Sequence, residues 1–509
     1  MFSTVLSATL HGLSVEFIDV EADVSNGLPM FHLVGYLSSE VKEAGERVRT
    51  AIRNTGFFVP AKKIVVNLSP ADKRKQGTAF DLPIALSVLM ALGEIPEESL
   101  ANTLLIGELS LDGGVKRVVG VLPIVFAAQR NGCKCCIVPQ ENLEEASLVS
   151  GIQVIGVSSL SEVCQILKRE KEPMTVKQVI AEKESCREGG LDFSEIRGQY
   201  LAKRAVEIAV AGNHNLLMLG GPGSGKTAIA KRIPTIQPPL TMEESMELTM
   251  IYSISGELDS SNPLMTERPF REVHQTTTKA ALLGGGAYPR PGEITLANKG
   301  VLFLDEIAEF PKNLLETLRQ PMEEHRIKLI RERGEYEYPA EFLLVAAMNP
   351  CPCGNYPDLN KCTCTTPQIQ SYLGKISQPL LDRIDLCVEV EKVPYDALSS
   401  TYMEETSEQI RARVIKAREI QAKRYKGFGI QTNSQLGIRQ VEEVCTLDAE
   451  GRYIMRHAFE RLGLTARTYH KVLCVARTIA DLEGAEDIEA KHLREALGYR
   501  SMNQKFWRR

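Results

Sequence analysis

The sequence predicts a multidomain α/β protein with a helical C-terminal region. Its 509 residues are more than one hydrophobic core ordinarily holds, so several domains are expected. A glycine-rich loop at 220–227 follows an apolar run at 216–219 and precedes a helix-prone segment. A second apolar run, at 300–304, ends in two carboxylates. Short continuous apolar runs are typical of strands buried in a parallel sheet, and the order strand, loop, helix fits such a sheet.

Composition and pattern divide the chain into three predicted domains. Residues 1–170 have the mixed pattern of an α/β domain, and a polar, charged linker follows at 171–191. An α/β core is predicted over 192–395 and a helical lid over 396–509. The lid contains helix-length stretches around 401–425, 438–463, 466–482 and 487–498.

The loop at 220–227 reads GGPGSGKT, which is the pattern of a phosphate-binding loop. Its glycines allow backbone conformations that turn successive N–H groups toward a phosphate at a helix N-terminus. Lys226 is expected to reach the β- and γ-phosphates, and the Thr227 hydroxyl to bind Mg²⁺. The pattern therefore predicts ATP and Mg²⁺ as cofactors. The predicted loop residues are Gly220, Gly221, Pro222, Gly223, Ser224, Gly225, Lys226 and Thr227.

Polar side chains end two further apolar runs. Asp305 and Glu306 follow the run at 300–304, at the edge where open α/β sheets bind ligands. We expect Asp305 to hold Mg²⁺ through water and Glu306 to act as the general base on the attacking water. Asn349 follows the run at 342–348, as a group that senses the γ-phosphate would. Carboxylates in such positions can also be helix N-caps, and an Asn after a strand is common turn chemistry.

The order of these parts resembles the AAA+ ATPases of the YifB/ComM type, often called magnesium-chelatase-like proteins. The resemblance runs nearly end to end. It includes DFSEIRGQ at 192–199, GGG at 284–286 and PLLDRID at 379–385. It implies a P-loop AAA+ core that assembles into a homo-hexameric ring.

The same resemblance implies roles for three residues. Asn349 corresponds to the first sensor, Arg383 to an arginine finger that acts on a neighbour's ATP, and Arg467 to the second sensor. A guanidinium supplied by a neighbour would link hydrolysis to assembly. The residues alone leave alternatives open: Arg383 could lie on the surface or pair with Asp382 or Asp385, and Arg467 could be a solvated helix arginine.

Residues 1–170 resemble the proteolytic domain of Lon proteases, in the segments 104–113 and 131–139. That enzyme uses a serine nucleophile activated by a lysine, and the two groups must lie within hydrogen-bond reach. After Gly77-Thr78, where the serine should fall, this sequence has Ala79, and Leu122 stands where the lysine should fall. Neither side chain can perform its step, so we expect a Lon-like domain without peptide hydrolysis.

Four cysteines lie close together in the pattern C-x-C-x₈-C-x-C. Two such pairs could fold over one tetrahedral Zn²⁺, in a closed structural site. Reduced thiols in a solvent-facing loop are an alternative, and disulfides are another that a cytosolic redox poise disfavours. The predicted zinc ligands are Cys351, Cys353, Cys362 and Cys364.

The formal net charge of −5 gives no overall basic surface for nucleic acid. However, the segment 326–338 alternates and turns at Gly334 like a β-hairpin. Repeated around a ring, its cations could line a pore that tracks DNA phosphates. In the alternative, the hairpin is solvated and its arginines pair with its own glutamates. The predicted pore residues are Arg326, Lys328, Arg331 and Arg333.

The resemblance implies a DNA helicase that drives branch migration during recombination in natural transformation. Single-stranded or branched DNA and other recombination proteins are then the expected partners. The alternatives are a magnesium-chelatase motor subunit, an ATP-driven protein remodeller, and a structural ring that uses ATP only as an assembly ligand. The first residues lack a basic export signal and no apolar run could span a bilayer, so we expect a cytoplasmic protein without a membrane partner.

Overall fold

The computed structural model describes residues 1–174, 190–259, 261–286, 289–331, 334–393 and 404–507, with the side chains of 501–505 excepted. The chain forms two compact units. The first comprises Met1–Glu184, Met242–Met265 and Ile330–Glu337, and the second comprises Ser185–Thr241, Thr266–Leu329 and Tyr338–Arg509. Two segments of the predicted α/β core therefore belong to the first unit. Most of the predicted linker and the boundary at 395 lie outside the described residues, so the domain limits stay predictions.

The first unit is built on a seven-stranded mixed sheet. Its long strands alternate buried and exposed side chains, as strands with one face on a core do. The strands at one side pair mainly antiparallel, whereas the last four pair parallel. In spatial order they are Met30–Val34, Lys63–Ser69, Ser14–Ser25, Phe2–His11, Thr103–Leu105, Cys135–Pro139 and Gln153–Val157. A two-stranded ribbon pairs Glu108–Leu109 with Val115–Lys116.

Helices cover this sheet and complete two apolar clusters. In Ser39–Asn54 the buried residues recur every three or four positions, and the side chain of Ser38 caps the first turn. Asp81–Ala91 is buried along its whole length. The α-helices of the unit are Ser39–Asn54, Asp81–Ala91, Val121–Arg130, Leu143–Ala146, Leu160–Leu167 and Met242–Ser255, and the 3₁₀ turns are Glu97–Leu100 and Gln140–Asn142.

The second unit is built on a five-stranded sheet in which every described pair of neighbouring strands is parallel. Its three central strands contain only buried residues, which explains why they appear as unbroken apolar runs. The strand before the glycine loop lies between the strand before Asn349 and the last strand. In spatial order the strands are Phe270–Val273, Val301–Leu304, Leu343–Met348, Leu216–Leu219 and Leu386–Glu389.

The second unit also contains a short ribbon and many helices. The ribbon pairs Gly284–Gly285 with Arg290–Pro291. Another ribbon consists of Arg326–Arg331 and Gly334–Pro339, and its segment Ile330–Glu337 is the one assigned to the first unit. The helices before residue 404 are Tyr200–Gly212, Lys226–Ile236, Lys279–Leu283, Glu293–Leu296, Lys312–Glu316, Pro321–Glu324, Thr366–Leu373 and Gln378–Leu381, with 3₁₀ turns at Phe193–Glu195 and Ile307–Glu309.

The C-terminal region is helical, as predicted, but two of its helices differ from the expected stretches. The stretch at 438–463 is two helices, because the Asp448 side chain accepts a hydrogen bond from Gly451 N at 2.6 Å and starts a new helix there. The last helix continues to Trp507 rather than ending near 498. The helices are Ser407–Arg424, Ile438–Val444, Ala449–Leu462, Ala466–Glu483 and Ala490–Trp507, with a 3₁₀ turn at Asn433–Gln435. Among the helices that the structure describes, none is long and apolar enough to cross a bilayer.

Candidate nucleotide-binding site

The glycine loop connects the central strand Leu216–Leu219 to the helix that begins at Lys226. Gly223 and Gly225 have φ values of +74° and +93°, in the region that favours glycine. Gly220 N donates a hydrogen bond to the carbonyl of Met348 at 3.1 Å, which ties the loop to the neighbouring strand. The loop is therefore held at the carboxyl edge of the sheet, beside the positive end of a helix dipole.

Lys226 lies across the loop. Its Nζ donates to the carbonyls of Gly220 at 2.6 Å and Gly221 at 3.1 Å, and to Asn349 Oδ1 at 3.2 Å. Burial lowers the pKa of Lys226, while the nearby carboxylates of Asp305 and Glu306 act in the opposite direction. The structure thus joins the predicted lysine to the predicted first sensor, although 123 residues separate them.

Thr227 and Asp305 also meet at this edge. The Thr227 hydroxyl donates to Asp305 Oδ2 at 2.7 Å, so the two predicted Mg²⁺ ligands lie side by side. Glu306 has a φ of +49°, its N–H donates to Asp305 Oδ1 at 2.9 Å, and it is exposed. A non-glycine residue in this conformation is uncommon. A hydroxyl and a carboxylate are oxygen ligands of the kind Mg²⁺ prefers, and the set therefore fits that ion.

Two residues at this edge have no role in the sequence-based predictions. Gln199 lies in the DFSEIRGQ segment, and its Nε2 donates to Ser224 O at 3.2 Å and to Glu391 O, so it bridges the loop and the chain after the last strand. Tyr372 is buried, and burial together with Glu309 and Glu306 raises its pKa to about 12. No sequence signal marks Tyr372, because its position depends on the fold of the chain after Asn349.

A cavity of about 690 Å³ opens beside Gln199. It reaches from the start of the helix Tyr200–Gly212 to the last strand and the C-terminal helix. Two apolar side chains in its lining are unusually exposed, Tyr200 at 65% and Leu201 at 69%. Other lining residues include Val388, Val393 and Tyr499. The lining includes no residue of the loop itself, but Gln199 connects the cavity to the loop through its bond to Ser224 O. A mostly apolar cavity is the kind of site that holds a planar heterocycle.

Arg383 and Arg467 share one carboxylate. Arg383 Nη2 lies 2.7 Å from Glu323 Oε2, and Arg467 pairs with the other oxygen of Glu323. Arg383 is only 8% exposed in the single chain. The structure gives Asp385 a different partner, Lys471, at 2.6 Å. The two arginines line a cavity of about 570 Å³ whose lining includes no residue of the glycine loop.

The four predicted zinc ligands lie together. Their sulfur atoms are all within 4.8 Å of one another, and three of the separations are 3.4, 3.6 and 3.8 Å. Zinc–sulfur bonds of about 2.3 Å in a tetrahedron put the sulfurs about 3.8 Å apart, whereas a disulfide needs about 2.05 Å. The cysteines are free thiols, and their arrangement fits a tetrahedral Zn²⁺ better than a disulfide. Tyr356 N donates to Cys351 Sγ at 3.4 Å, as backbone groups around such sites do.

The predicted hairpin at 326–338 is a two-stranded ribbon. Its first strand alternates, with Ile327 and Leu329 buried and Arg326 and Lys328 exposed. Arg331 is exposed, Arg326 lies 3.8 Å from Glu324, and Arg333 falls outside the described residues. Arg326 and Lys328 are therefore on the face of the strand opposite Ile327 and Leu329, and the role of the predicted cations stays a prediction.

In the first unit, Ala79 and Leu122 belong to one apolar cluster. Leu122 is fully buried in it, and Ala79 packs against it. Met246 and Met250 of the helix Met242–Ser255 pack on the same cluster, and Gly120 N donates to Ser253 O at 3.1 Å. The position that corresponds to the Lon lysine is therefore a packed apolar interior.

Buried polar groups hold this helix in place. Glu145 Oε1 accepts from Leu122 N at 3.1 Å and from the Ser253 hydroxyl, while Glu145 Oε2 accepts from Asn142 Nδ2 at 3.1 Å. Asn142 in turn bonds to the backbone of Val118. Both oxygens of the Glu145 carboxylate therefore accept hydrogen bonds, and one of these bonds comes from Ser253 of the helix.

Three family models match the chain. The model of magnesium chelatase subunit ChlI matches residues 192–398, that of subunit ChlI of Mg-chelatase matches 20–142, and that of the ChlI C-terminal region matches 404–500. Together with the parallel sheet and the loop at its edge, these matches define an AAA+-like α/β protein of the magnesium-chelatase class.

Full-length relatives narrow that class. The chain is 42% identical over 505 residues to the competence protein ComM of Haemophilus influenzae. The matched region covers 98% of this chain and 97% of that protein. It is 40% identical over 503 residues to YifB of Escherichia coli, with 99% and 97% covered. Lon protease 2 of Bacillus subtilis is 34% identical over 128 residues, or 25% of this chain and 22% of that one. The chain belongs to the YifB/ComM type of the magnesium-chelatase family, and the resemblance seen in the sequence is confirmed.

Proposed function

We propose that this protein is a Mg²⁺-dependent ATPase with an AAA+ core. The observation that carries the proposal is that groups following three neighbouring strands meet: Lys226 with Asn349, and Thr227 with Asp305. In this proposal Lys226 neutralises the phosphates and Asn349 orients the γ-phosphate or the attacking water. Bound Mg²⁺ would be held by Thr227 and Asp305 and would neutralise charge that develops on the phosphates.

The exposed carboxylate of Glu306 takes the role of general base. The Asp305 carboxylate is bonded to Thr227, whereas Glu306 is exposed and remains open to a water. A proton accepted from that water at the Glu306 carboxylate would make the water a better nucleophile. We further propose that the adenine occupies the cavity beside Gln199, since Gln199 bonds both to the loop and to a wall of that cavity.

Arg383 acts on the ATP of a neighbouring subunit in this proposal, and Arg467 is the second sensor. They share Glu323, and the cavity they line includes no residue of this chain's own loop. Because Arg383 is buried and paired with Glu323 in the single chain, its action on another copy's ATP requires that the guanidinium exchange Glu323 for the phosphates when the subunits dock. This arrangement needs a ring, as the family resemblance implies.

Subunit mixing tests this arrangement. Arg383→Ala should bind ATP but turn it over about a thousandfold more slowly, and mixing with Lys226→Ala subunits should restore part of the turnover. In the mixture an intact arginine can face an intact loop only across a subunit boundary. Turnover in the mixture no higher than the sum of the two separate variants would contradict action between subunits.

The DNA function is the next step of the proposal. A relative of nearly the same length is named a competence protein, and the first strand of the ribbon carries the exposed cations Arg326, Lys328 and Arg331. We propose that a hexameric ring grips DNA phosphates with these cations and uses ATP hydrolysis for helicase or branch-migration work in recombination. Packing at Ala79 and Leu122 favours a Lon-like domain that does not cleave peptides.

Steady-state ATPase assays test the DNA function directly. The purified protein is measured alone and with single-stranded DNA, duplex DNA, a four-way junction or an unfolded protein, across a salt series. DNA should raise turnover, and the effect should fade with salt because phosphate contacts release counterions. Turnover that responds only to unfolded protein would favour a protein remodeller. The family models carry the name of a chelatase subunit, and Mg²⁺-dependent stimulation by a porphyrin would instead favour that role.

Zinc completes the proposed cofactor set. The four cysteines would hold one Zn²⁺ in a structural site, with the sulfur separations described above as support. Such a site contributes folding energy to the loop that carries it.

A further inference from the structure

The cysteine knuckle, residues 351–364, begins two residues after Asn349 and packs against the glycine loop. A Cβ on Gly354 would collide with Cδ of Pro222, and a Cβ on Gly221 would lie 2.9 Å from the carbonyl oxygen of Gly354. The knuckle and the loop therefore touch backbone to backbone, at a distance that only glycine allows on both sides. A contact this close transmits a small displacement of one segment to the other.

The two segments are also joined through the chain. Met348 O accepts from Gly220 N, and Asn349 Oδ1 accepts from Lys226 Nζ. Two of the four cysteines follow on the same stretch of chain, with Cys351 fully buried. The stretch that anchors the loop thus continues directly into the metal ligands.

The other side of the knuckle is fixed. The Tyr356 ring meets Phe506 of the C-terminal helix edge to face, with ring centroids 6.0 Å apart, and Tyr356 N bonds to Cys351 Sγ. Trp507 Nε1 donates to Leu373 O at 3.0 Å, which ties the end of that helix to the segment after the knuckle. The knuckle is held between the C-terminal helix and the loop, so a change in its fold cannot be absorbed on the far side alone.

We infer that metal binding by the cysteine knuckle controls the affinity of the glycine loop for nucleotide. The inference rests on the proposed ATPase function and adds a regulator to the same site. With Zn²⁺ bound, the four sulfurs fix Gly354 against Pro222 and Gly221 and hold Asn349 near Lys226. Without the metal, the four thiols have no common ligand, and the loop loses the surface that supports it.

Metal stripping tests the inference on the full chain. Zinc content is measured in the purified protein, a zinc-selective chelator removes it, and a fluorescent ATP analogue is titrated at constant Mg²⁺ before and after. We expect one zinc per chain, a nucleotide Kd raised about tenfold or more after stripping, and recovery when Zn²⁺ is returned. An unchanged Kd in the stripped protein, or no zinc in the purified protein, overturns the inference but leaves the ATPase proposal standing. No nucleotide binding by either form overturns both.

A glycine variant separates the contact from the metal. Gly354→Ala keeps all four cysteines but adds the Cβ that collides with Pro222. It should retain zinc and bind the ATP analogue about tenfold more weakly. Gly427→Ala is the matched control, because Gly427 also has a positive φ, +92°, but an added Cβ there meets nothing within 4 Å. Wild-type affinity in Gly354→Ala would overturn the route through Gly354.

A variant of one proposed zinc ligand provides a third test of the inference. Cys362→Ser should lose zinc and lose nucleotide affinity to the same extent as stripping does, with circular dichroism to verify that the chain still folds. Wild-type affinity in a folded, zinc-free Cys362→Ser protein would overturn the inference.

Discussion

Polar groups have different environments at the glycine loop and in the apolar cluster around Leu122. At the loop, Lys226 and Thr227 follow one strand and meet Asn349 and Asp305, which follow two neighbouring strands, and Glu306 remains exposed. At the cluster, Ala79 and Leu122 stand where the resemblance to Lon proteases predicts a nucleophile and a base, and both oxygens of the nearby Glu145 carboxylate accept hydrogen bonds. One region presents polar groups to a ligand, and the other uses its polar groups to hold itself together.

Because of this difference, residues that serve catalysis or binding can be distinguished from residues that serve packing by the effects of their substitution. Groups that face an open edge can be replaced with little effect on folding, because few packed atoms depend on them. Groups inside a packed cluster determine stability, because their removal leaves a cavity or an unpaired polar atom. Substitutions at the loop should therefore change catalysis or binding, and substitutions at the cluster should change stability first.

The largest expected effect is at Glu306. Glu306→Gln removes the proposed general base but keeps the size of an exposed side chain, so turnover should fall about a thousandfold while nucleotide affinity and thermal unfolding stay unchanged. Single-turnover ATP hydrolysis and titration of a fluorescent ATP analogue measure the two quantities. The control is Glu309→Gln, which changes an exposed carboxylate paired with Lys375. Full turnover by Glu306→Gln would remove Glu306 from the mechanism.

The next effect is at Lys226. Lys226→Ala removes a buried ammonium that bonds to both Gly220 O and Asn349, and nucleotide affinity should fall about a hundredfold because the phosphates lose their buried cation. Equilibrium titration of the ATP analogue measures it. Lys231→Ala, on the same helix but 45% exposed and paired with Glu272, is the matched control and should bind normally. Equal losses in both variants would indicate that the helix, not the lysine, had been damaged.

The glycine loop could be predicted because its determinants are local. The positive φ values of Gly223 and Gly225, the strand before them and the helix after them all follow from a few consecutive residues. The sequence also predicts that polar groups follow neighbouring strands, since parallel strands end at one edge. The clustering of the four cysteines could also be predicted, because both pairs lie in one short segment of the chain.

Features that depend on tertiary packing could not be predicted. The pairing of Arg383 and Arg467 through Glu323 joins residues 60 or more positions apart, and nothing near any of them signals the others. Assignment of the helix Met242–Ser255 to the first unit has the same origin, since Met246 and Met250 resemble ordinary apolar helix residues until their neighbours are known. The break before the helix Ala449–Leu462 was missed because Asp448 is an N-cap only if the chain bends there.

At the cluster, Leu122 should show the stability effect. Leu122→Ala leaves a cavity in a fully buried position and should cost about 3 kcal/mol, or about a hundredfold in the local opening equilibrium. Amide hydrogen exchange in the helix Val121–Arg130 measures that opening, and nucleotide affinity should be unchanged. Val119→Ala is the control, since Val119 is 54% exposed. A loss of nucleotide binding at full stability would contradict the contrast between the two regions.

The smallest expected effect is at Glu145, and it bears most directly on the comparison. Glu145→Gln keeps the shape of the side chain but replaces one acceptor oxygen with an NH₂ group. Both carboxylate oxygens accept hydrogen bonds, from Leu122 N and Ser253 on one and from Asn142 Nδ2 on the other. At least one donor would then face another donor, which should cost about 1.5 kcal/mol.

The consequence should appear in the helix Met242–Ser255, because Ser253 connects it to Glu145. We expect amide exchange in that helix to speed up about tenfold, with ATP turnover unchanged at low temperature. Glu144→Gln is the matched control, since Glu144 is adjacent and exposed. If amide exchange is faster in Glu145→Gln but not in Glu144→Gln, the Glu145 carboxylate stabilises the packing of this helix. Reduced turnover with unchanged exchange would instead mean that the cluster retains a chemical role, and the contrast with the nucleotide edge would have to be abandoned.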